Sequence, residues 1–126
     1  MSESKKIPSP ADFERASKLM EERARGLDRV RDDVLAQFQT PGPLREFYIL
    51  DQLDVDFRAY VFFPGDKDIA VAHETGLSKR IVDFVHAALE RHGRGRRGEI
   101  EVAFVFDSDE HVQRSFAGNY LLRLRE

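Results

Sequence analysis

Apolar residues recur with a helical period over the first third of the chain. They are Phe13, Ala16, Met20, Ala24, Leu27, Val34 and Phe38. Ser9, followed by Pro10 and then by Asp12 three residues after the serine, is typical of a capped helix start. The prolines and glycine of residues 41–43 cannot continue a helix. The pattern therefore predicts one long helix, with Gly26 as its weakest position because glycine costs about 1 kcal/mol relative to alanine.

Two strands should follow the long helix. Residues 45–51 are a short run of residues that favour strands, and residues 55–63 alternate strictly between two faces. One of those faces is apolar and consists of Val55, Phe57, Ala59, Val61 and Phe63. Residues 52–54 connect the two runs, which is the length of a hairpin loop. We therefore expect these two strands to pair antiparallel.

The second half of the chain has the pattern of helix, strand, helix and strand. Residues 78–92 have a helical apolar face, whereas residues 66–76 fit either a short helix or an extended run. Residues 100–106 alternate as a strand, a short helix follows them, and residues 120–125 alternate as a last strand. A strand that returns to its sheet through a helix can pair in parallel, so a mixed sheet is expected.

These elements predict an α+β fold with the order αββαβαβ. We expect about four strands in a mixed sheet, a long N-terminal helix, and one or two helices packed on the sheet. One face of the sheet should be buried and the other partly wet. Residues 1–8 are polar and have no period, so we expect a disordered tail there and a single domain over residues 9–126.

Composition restricts the classes of protein to which the chain can belong. Its 126 residues are 41% hydrophobic, which is enough for a real core, and none of them is cysteine. A disulfide framework, a thiolate zinc site and a cysteine nucleophile are therefore excluded. We see no secretory signal and no apolar run near the ~18 residues of a membrane span. We expect a cytoplasmic protein, with a formal net charge of −3.

The sharpest chemical pattern is residues 103–110, an apolar strand that ends in Asp107-x-Asp109. Two carboxylates at the end of a strand suit Mg²⁺, which prefers oxygen ligands. The segment resembles the Asp-x-Asp stretch of Toprim domains and the first motif of haloacid-dehalogenase-type phosphatases. That resemblance implies Mg²⁺ and phosphate chemistry at the two aspartates. The segment departs from the Toprim pattern at His111, near which a glycine is expected, and from the phosphatase pattern because only 17 residues follow Asp109.

The same segment has a second interpretation that needs no metal. Asp107 and Glu110 have the spacing of a helix cap, with the acids at the positive end of the helix that follows. We favour the cap over the metal site, because the partner motifs of both families are missing from the sequence.

Residues 91–98 form a basic, glycine-rich island. Arg94, Arg96 and Arg97 are candidates for binding an anion or RNA from a loop. They also follow the end of a helix, where the dipole favours cations, and no aromatic residue is interleaved for base stacking. We therefore favour a solvated linker. The four histidines have no ligand spacing, and no serine has the surroundings of a nucleophile.

The long helix is the best candidate for an interaction surface. Its residues with heptad-like spacing are Phe13, Met20, Leu27, Val30 and Val34. This stripe can pack on the sheet of its own domain, or against a partner helix, including the same helix of a second copy. Packing on its own sheet is favoured, because the repeat spans barely three heptads.

We predict a small protein-interaction or regulatory domain with no catalytic activity and no cofactor. Its partner is another protein or a second copy of the chain, bound through residues 10–39, and neither nucleic acid nor membrane is the expected partner. Two alternatives stay open. One is a Mg²⁺-dependent enzyme that handles phosphates or nucleotides with Asp107 and Asp109, and the other is an RNA-binding accessory protein that uses residues 91–98.

Overall fold

The computed structural model describes residues 10–39 and 42–126, without the side chains of residues 10–13 and 16–25. The elements along these residues are α1 (Pro10–Phe38), β1 (Glu46–Asp51), β2 (Phe57–Phe63), α2 (Asp66–Glu74), α3 (Leu77–Arg91), β3 (Val102–Ser108), α4 (Asp109–Phe116) and α5 (Tyr120–Leu124). The predicted tail and the predicted cap at Ser9 lie outside the described residues.

The sheet has three strands in the order β1-β2-β3 within the described residues. β1 pairs antiparallel with β2 over its whole length. β2 pairs in parallel with β3 without interruption, from Phe57 opposite Val102 to Phe63 opposite Ser108. The chain crosses from β2 to β3 through α2 and α3, because parallel neighbours need a long connection. The predictions of an α+β class and of a mixed sheet are confirmed.

The long first helix is continuous from Pro10 to Phe38 and runs through Gly26 without a break. Its inner face lies against the sheet and α3. Leu27 is 8% exposed there, and Val30 and Val34 are fully buried. From Leu27 onward, where its side chains are described, the helical stripe that the sequence predicts packs inside the chain's own core.

Helices pack on both faces of the sheet, but they bury the two faces to different extents. The face toward α1, α2 and α3 carries alternate residues of β2, namely Phe57, Ala59, Val61 and Phe63. On the other face, Tyr60 and Phe62 pack against Val112 of α4. The ring centroid of Tyr120 in α5 lies 4.9 Å from that of Phe62. The expectation of one buried and one partly wet face is confirmed, because α4 and α5 cover only the middle of this second face. Its other residues stay partly exposed, namely Tyr48, Leu50, Arg58, Ala103 and Val105.

The predicted fourth strand at residues 120–125 is wrong, because this segment forms α5. Asn119 caps this helix, since its Oδ1 accepts a hydrogen bond from the backbone N–H of Leu122 at 3.1 Å. A run of five or six mainly apolar residues is too short for a period of two to be distinguished from a helical face. The sheet therefore has three strands instead of about four, and the element order is αββααβαα instead of αββαβαβ.

The structure also settles the segment that the sequence leaves open, because α2 is a helix. The Asp68 carboxylate accepts the backbone N–H of Gly65 at 2.8 Å, and Asp66 joins Asp68 in the first turn, where the dipole favours negative charge. The described residues thus contain five helices, on both faces of the sheet, instead of the long helix and one or two others. None of the described helices has both the length and the apolar character needed to cross a membrane.

Candidate functional site

Asp107 holds the last helix against the sheet. Its carboxylate accepts hydrogen bonds from Arg123 Nε at 2.6 Å and from His111 Nδ1 at 2.9 Å. Burial raises the pKa of Asp107, but the hydrogen bonds from Arg123 and His111 outweigh burial, so the pKa lies below its usual value. The carboxylate is therefore charged and already paired, and its role in this geometry is to anchor α5.

Asp109 also contacts α5. It accepts a hydrogen bond from the Tyr120 hydroxyl, and burial together with this bond raises the pKa of Tyr120. A Mg²⁺ ion at Asp107 and Asp109 would have to displace both Arg123 and Tyr120, so the geometry favours a structural role for the pair. Within the described part of the chain, no three or more His, Cys, Asp or Glu side chains form a group that could hold a metal ion.

The cap predicted at Asp107 lies one residue later, at Ser108. This serine is fully buried, its Oγ accepts the backbone N–H of His111 at 3.0 Å, and its hydroxyl donates to Asp66 at 2.5 Å. Glu110, the other predicted member of the cap, instead accepts the backbone N–H of Asp66 at 2.8 Å. These bonds tie the start of α2 to the start of α4. Asp107 and Ser108 are both residue types that can cap a helix. Ser108 is the cap because β3 ends at Ser108 and α4 begins at the next residue.

Two arginines of the basic island form ion pairs with aspartates on helices. Arg97 Nη1 lies 2.7 Å from Asp83 Oδ1, and Arg91 Nη2 lies 2.7 Å from Asp33 Oδ2. The hydrogen bond from Arg97 lowers the pKa of Asp83, and the bond from Arg91 lowers that of Asp33. These pairs attach residues 91–98 to α3 and α1, so this part of the island is a structural connection.

The two other anion candidates of the island differ from each other. Arg94 packs against α1, where a Cβ at Gly26 would lie 3.1 Å from Arg94 Nε. The glycine that looked like a weak point of the helix is therefore the place where an arginine side chain passes. Arg96 is exposed beside a depression of about 630 Å³ that Glu90 and Glu99 also line. Two carboxylates beside one guanidinium do not select an anion.

The predicted interaction stripe on α1 faces inward over the part whose side chains are described. A partner helix cannot reach Val30 or Val34 unless α1 leaves the sheet, because both are fully buried. Leu27 belongs to the same core. The side chains of Phe13 and Met20 lie outside the described residues.

The edge of the sheet formed by β3 has unpaired backbone groups. Phe57 N–H donates to Glu101 O at 3.2 Å, so alternate residues from Glu101 onward turn their backbone groups toward β2. The N–H and C=O groups of Val102, Phe104 and Phe106 therefore point away from β2. Within the described residues no strand lies on that side of β3. We call these outward groups the open edge of β3.

The side chains along the open edge are apolar and only partly covered. Each residue from Val102 to Phe106 is half-buried, whereas almost all of the paired strand β2 is buried. Phe104 and Phe106 face the helices, where the Phe106 ring centroid lies 5.1 Å from that of His73. The His86 ring lies 5.9 Å from Phe104, and burial followed by the charge of Arg97 lowers its pKa, which keeps the ring neutral.

At the opposite edge of the sheet, two side chains from α1 and the residue after it bond to backbone carbonyls. Arg31 Nε donates to the outward carbonyl of Phe47 in β1 at 2.8 Å, and Gln39 Nε2 donates to the carbonyl of Arg45 at 2.8 Å. Arg31 also pairs with Glu46 at 2.9 Å. Charged side chains and a covering helix are the usual ways in which proteins close a sheet edge. Within the described residues, α1 protects part of the β1 edge in this way, whereas no such side chain bonds to the outward groups of β3 from Val102 to Phe106.

Sequence reasoning missed this site because it concerns backbone groups, which no residue pattern marks. The available signal was the stretch from Val102 to Phe106, an apolar run without proline or charge.

Comparison with known proteins adds nothing to the geometry, since no family model, no curated protein and no solved structure matches the chain.

Proposed function

We propose that this chain is a protein-interaction domain that binds an extended segment of another polypeptide along the open edge of β3. The observation that carries the proposal is an uninterrupted parallel strand whose outer N–H and C=O groups have no partner within the described residues. Such an edge is a template for one more strand, and backbone hydrogen bonds supply the affinity. The cytoplasm, which is the location expected from the sequence, is also the location that we propose.

The side chains around the edge support binding over catalysis. The strand offers apolar side chains on both faces for alternate residues of an incoming strand. The charged groups nearest its end, Asp107 and Asp109, are engaged with α5 and leave no free acid and base facing each other. This keeps the interaction function that the sequence suggests, and moves its surface from α1 to β3.

The test blocks one outward donor without breaking the sheet. Val102→Pro removes an N–H that points away from β2, and Val102→Ala is the matched control because it keeps that N–H. We expect the tagged wild-type chain and Val102→Ala to capture one protein in near-stoichiometric amount, identified by mass spectrometry. We expect Val102→Pro to capture less than about a tenth as much, because an edge proline cannot donate to the added strand.

Two results would contradict the proposal. One is equal capture by the proline and alanine variants when circular dichroism shows that both are folded. The other is the absence of any chain, including a second copy of the same chain, bound to the wild type above background.

A further inference from the structure

We infer that the polypeptide on the open edge of β3 is a second copy of this chain, with the two β3 strands antiparallel about a two-fold axis at Phe104. The inference rests on the proposed function and names its partner. Two identical edges that pair across a two-fold axis perpendicular to their strands run antiparallel, and two-fold symmetry is the commonest in protein oligomers. The resulting sheet would have the order β1-β2-β3-β3-β2-β1.

The backbone of β3 sets the position of that axis. The N–H of Ser108 donates to Asp107 Oδ1 at 2.8 Å, so it is not free for another strand. The free outward groups therefore run from Val102 to Phe106 and are symmetric about Phe104. Aligning two copies there places Val102 opposite Phe106 of the second copy and forms about six backbone hydrogen bonds. A register displaced by one residue in either direction has fewer such bonds within β3.

The side chains agree with this alignment. It pairs Val102 with Phe106 on the helix side and Ala103 with Val105 on the other side, and cross-strand pairs of aromatic and β-branched residues stabilise antiparallel strands. The alignment also places one acidic residue opposite another, namely Glu101 of one copy opposite Asp107 of the second copy. The charge of Asp107 is already balanced by Arg123 at 2.6 Å. The formal net charge of −3 is also too small to keep two copies apart.

The difference between the two sheet edges also favours a second copy. A chain that stays monomeric must protect every long edge with charge, proline, a bulge or a covering element. At β1 this chain does so in part, because α1 lies against the strand and its Arg31 bonds to the Phe47 carbonyl, whereas the described part of the chain has no such protection at β3. A copy of itself is the partner that is always present, at the same concentration as the edge that needs covering.

Cysteine cross-linking tests the register directly, because the chain contains no cysteine of its own. Ala103→Cys and Val105→Cys are prepared as separate proteins and mixed under mild oxidation. In the inferred dimer these two positions face each other as a non-hydrogen-bonded pair, with Cα atoms about 4.5 Å apart, within disulfide reach. We expect the mixture to form covalent dimer at least about tenfold faster than either protein alone, since self-opposed positions occur only at Phe104. Equal rates in the mixture and in both single variants would overturn the inferred register.

Sedimentation equilibrium of the unmodified chain gives an independent measurement that does not depend on the cysteine variants folding. We expect a reversible dimer with a dissociation constant of roughly 1–100 μM, because pairing one strand buries less surface than a standard interface. Val102→Pro should weaken dimerisation by at least about tenfold, and Val102→Ala should leave it almost unchanged.

The outcomes separate this inference from the proposed function. A wild-type chain that is monomeric up to near-millimolar concentration overturns the inference. If capture of a different protein still depends on Val102→Pro in that case, the proposed function stands. If Val102→Pro alters neither dimerisation nor capture, both are wrong.

Discussion

At the scale of single residues, the position of Asp107 in the sequence did not predict its structural role. Asp107 fits a metal ligand or a helix cap, yet its charge is balanced by Arg123, which comes 16 residues later in the chain. A carboxylate on a residue that is only 8% exposed needs such a partner, because an unpaired buried charge is strongly destabilising. Asp107 thus stabilises the fold, because it holds α5 against the sheet.

We expect Asp107→Asn to lower the free energy of unfolding at pH 7 by about 3 kcal/mol, because it leaves Arg123 without its buried partner. The pKa of Asp107 is lower in the folded chain than in the unfolded one, so this contribution is complete above the unfolded value of about 3.9. It is lost as the pH falls through the folded pKa. Urea unfolding of wild type and variant between pH 7 and strongly acidic pH measures the difference.

Asp51→Asn, at the exposed end of β1, is the matched control and should change stability by less than about 0.5 kcal/mol. A loss for Asp107→Asn that is just as large at strongly acidic pH would show that the carboxylate charge is not the cause.

At the scale of elements, one serine joins the end of a strand to two helices. Ser108 ends β3, caps α4 and donates to Asp66 at the start of α2. Because β2 and β3 are parallel, the helices that follow their carboxyl ends begin side by side, and one hydroxyl reaches both. Arg114 of α4 adds a contact of 3.1 Å to Asp66. The junction therefore sets the position of α4, which covers part of the second face of the sheet.

We expect Ser108→Ala to lower the free energy of unfolding by about 2 kcal/mol, since it removes a helix cap and a bond to a charged group at a buried position. Ser115→Ala, on the exposed side of α4, should change it by less than about 0.5 kcal/mol. Chemical denaturation of both variants measures these values. Similar small changes for the two serines would mean that the junction contributes little.

At the scale of the whole molecule, the asymmetry between the two sheet edges is the main feature. α1 lies beside β1 and its Arg31 bonds to the Phe47 carbonyl, whereas α2 and α3 connect β2 to β3 without protecting the outer edge of β3 within the described residues. Strand edges left in this state pair readily with other strands.

We expect the amides of Val102, Phe104 and Phe106 to exchange with solvent at least about tenfold faster than those of Ala103 and Val105 in dilute solution. The first three amides point outward, and the other two bond to β2. Hydrogen exchange followed by residue-resolved NMR measures the rates. The outward amides should become protected as the concentration rises, and equal protection of both sets in dilute solution would show that the edge is already covered.

The sequence by itself determined the features that depend on neighbouring residues. The period of α1, the alternation of β2 and the hairpin between β1 and β2 could all be predicted, because helices and strands expose their faces at fixed spacings. The mixed sheet followed from the helical connections. Gly26 was visible as an unusual position, although not as the place where Arg94 crosses α1.

Only the tertiary structure decided the features that depend on distant residues. The last apolar run forms α5 instead of a strand. In this position Arg123 bonds to Asp107 and Tyr120 packs against Phe62 on the second face of the sheet. The partners of both aspartates, the residue that caps α4, and the strand left at the open edge are likewise consequences of packing. The spacing of residues along the chain does not indicate which backbone groups remain unpaired after the helices and strands have packed together. The candidate site consists of such unpaired groups.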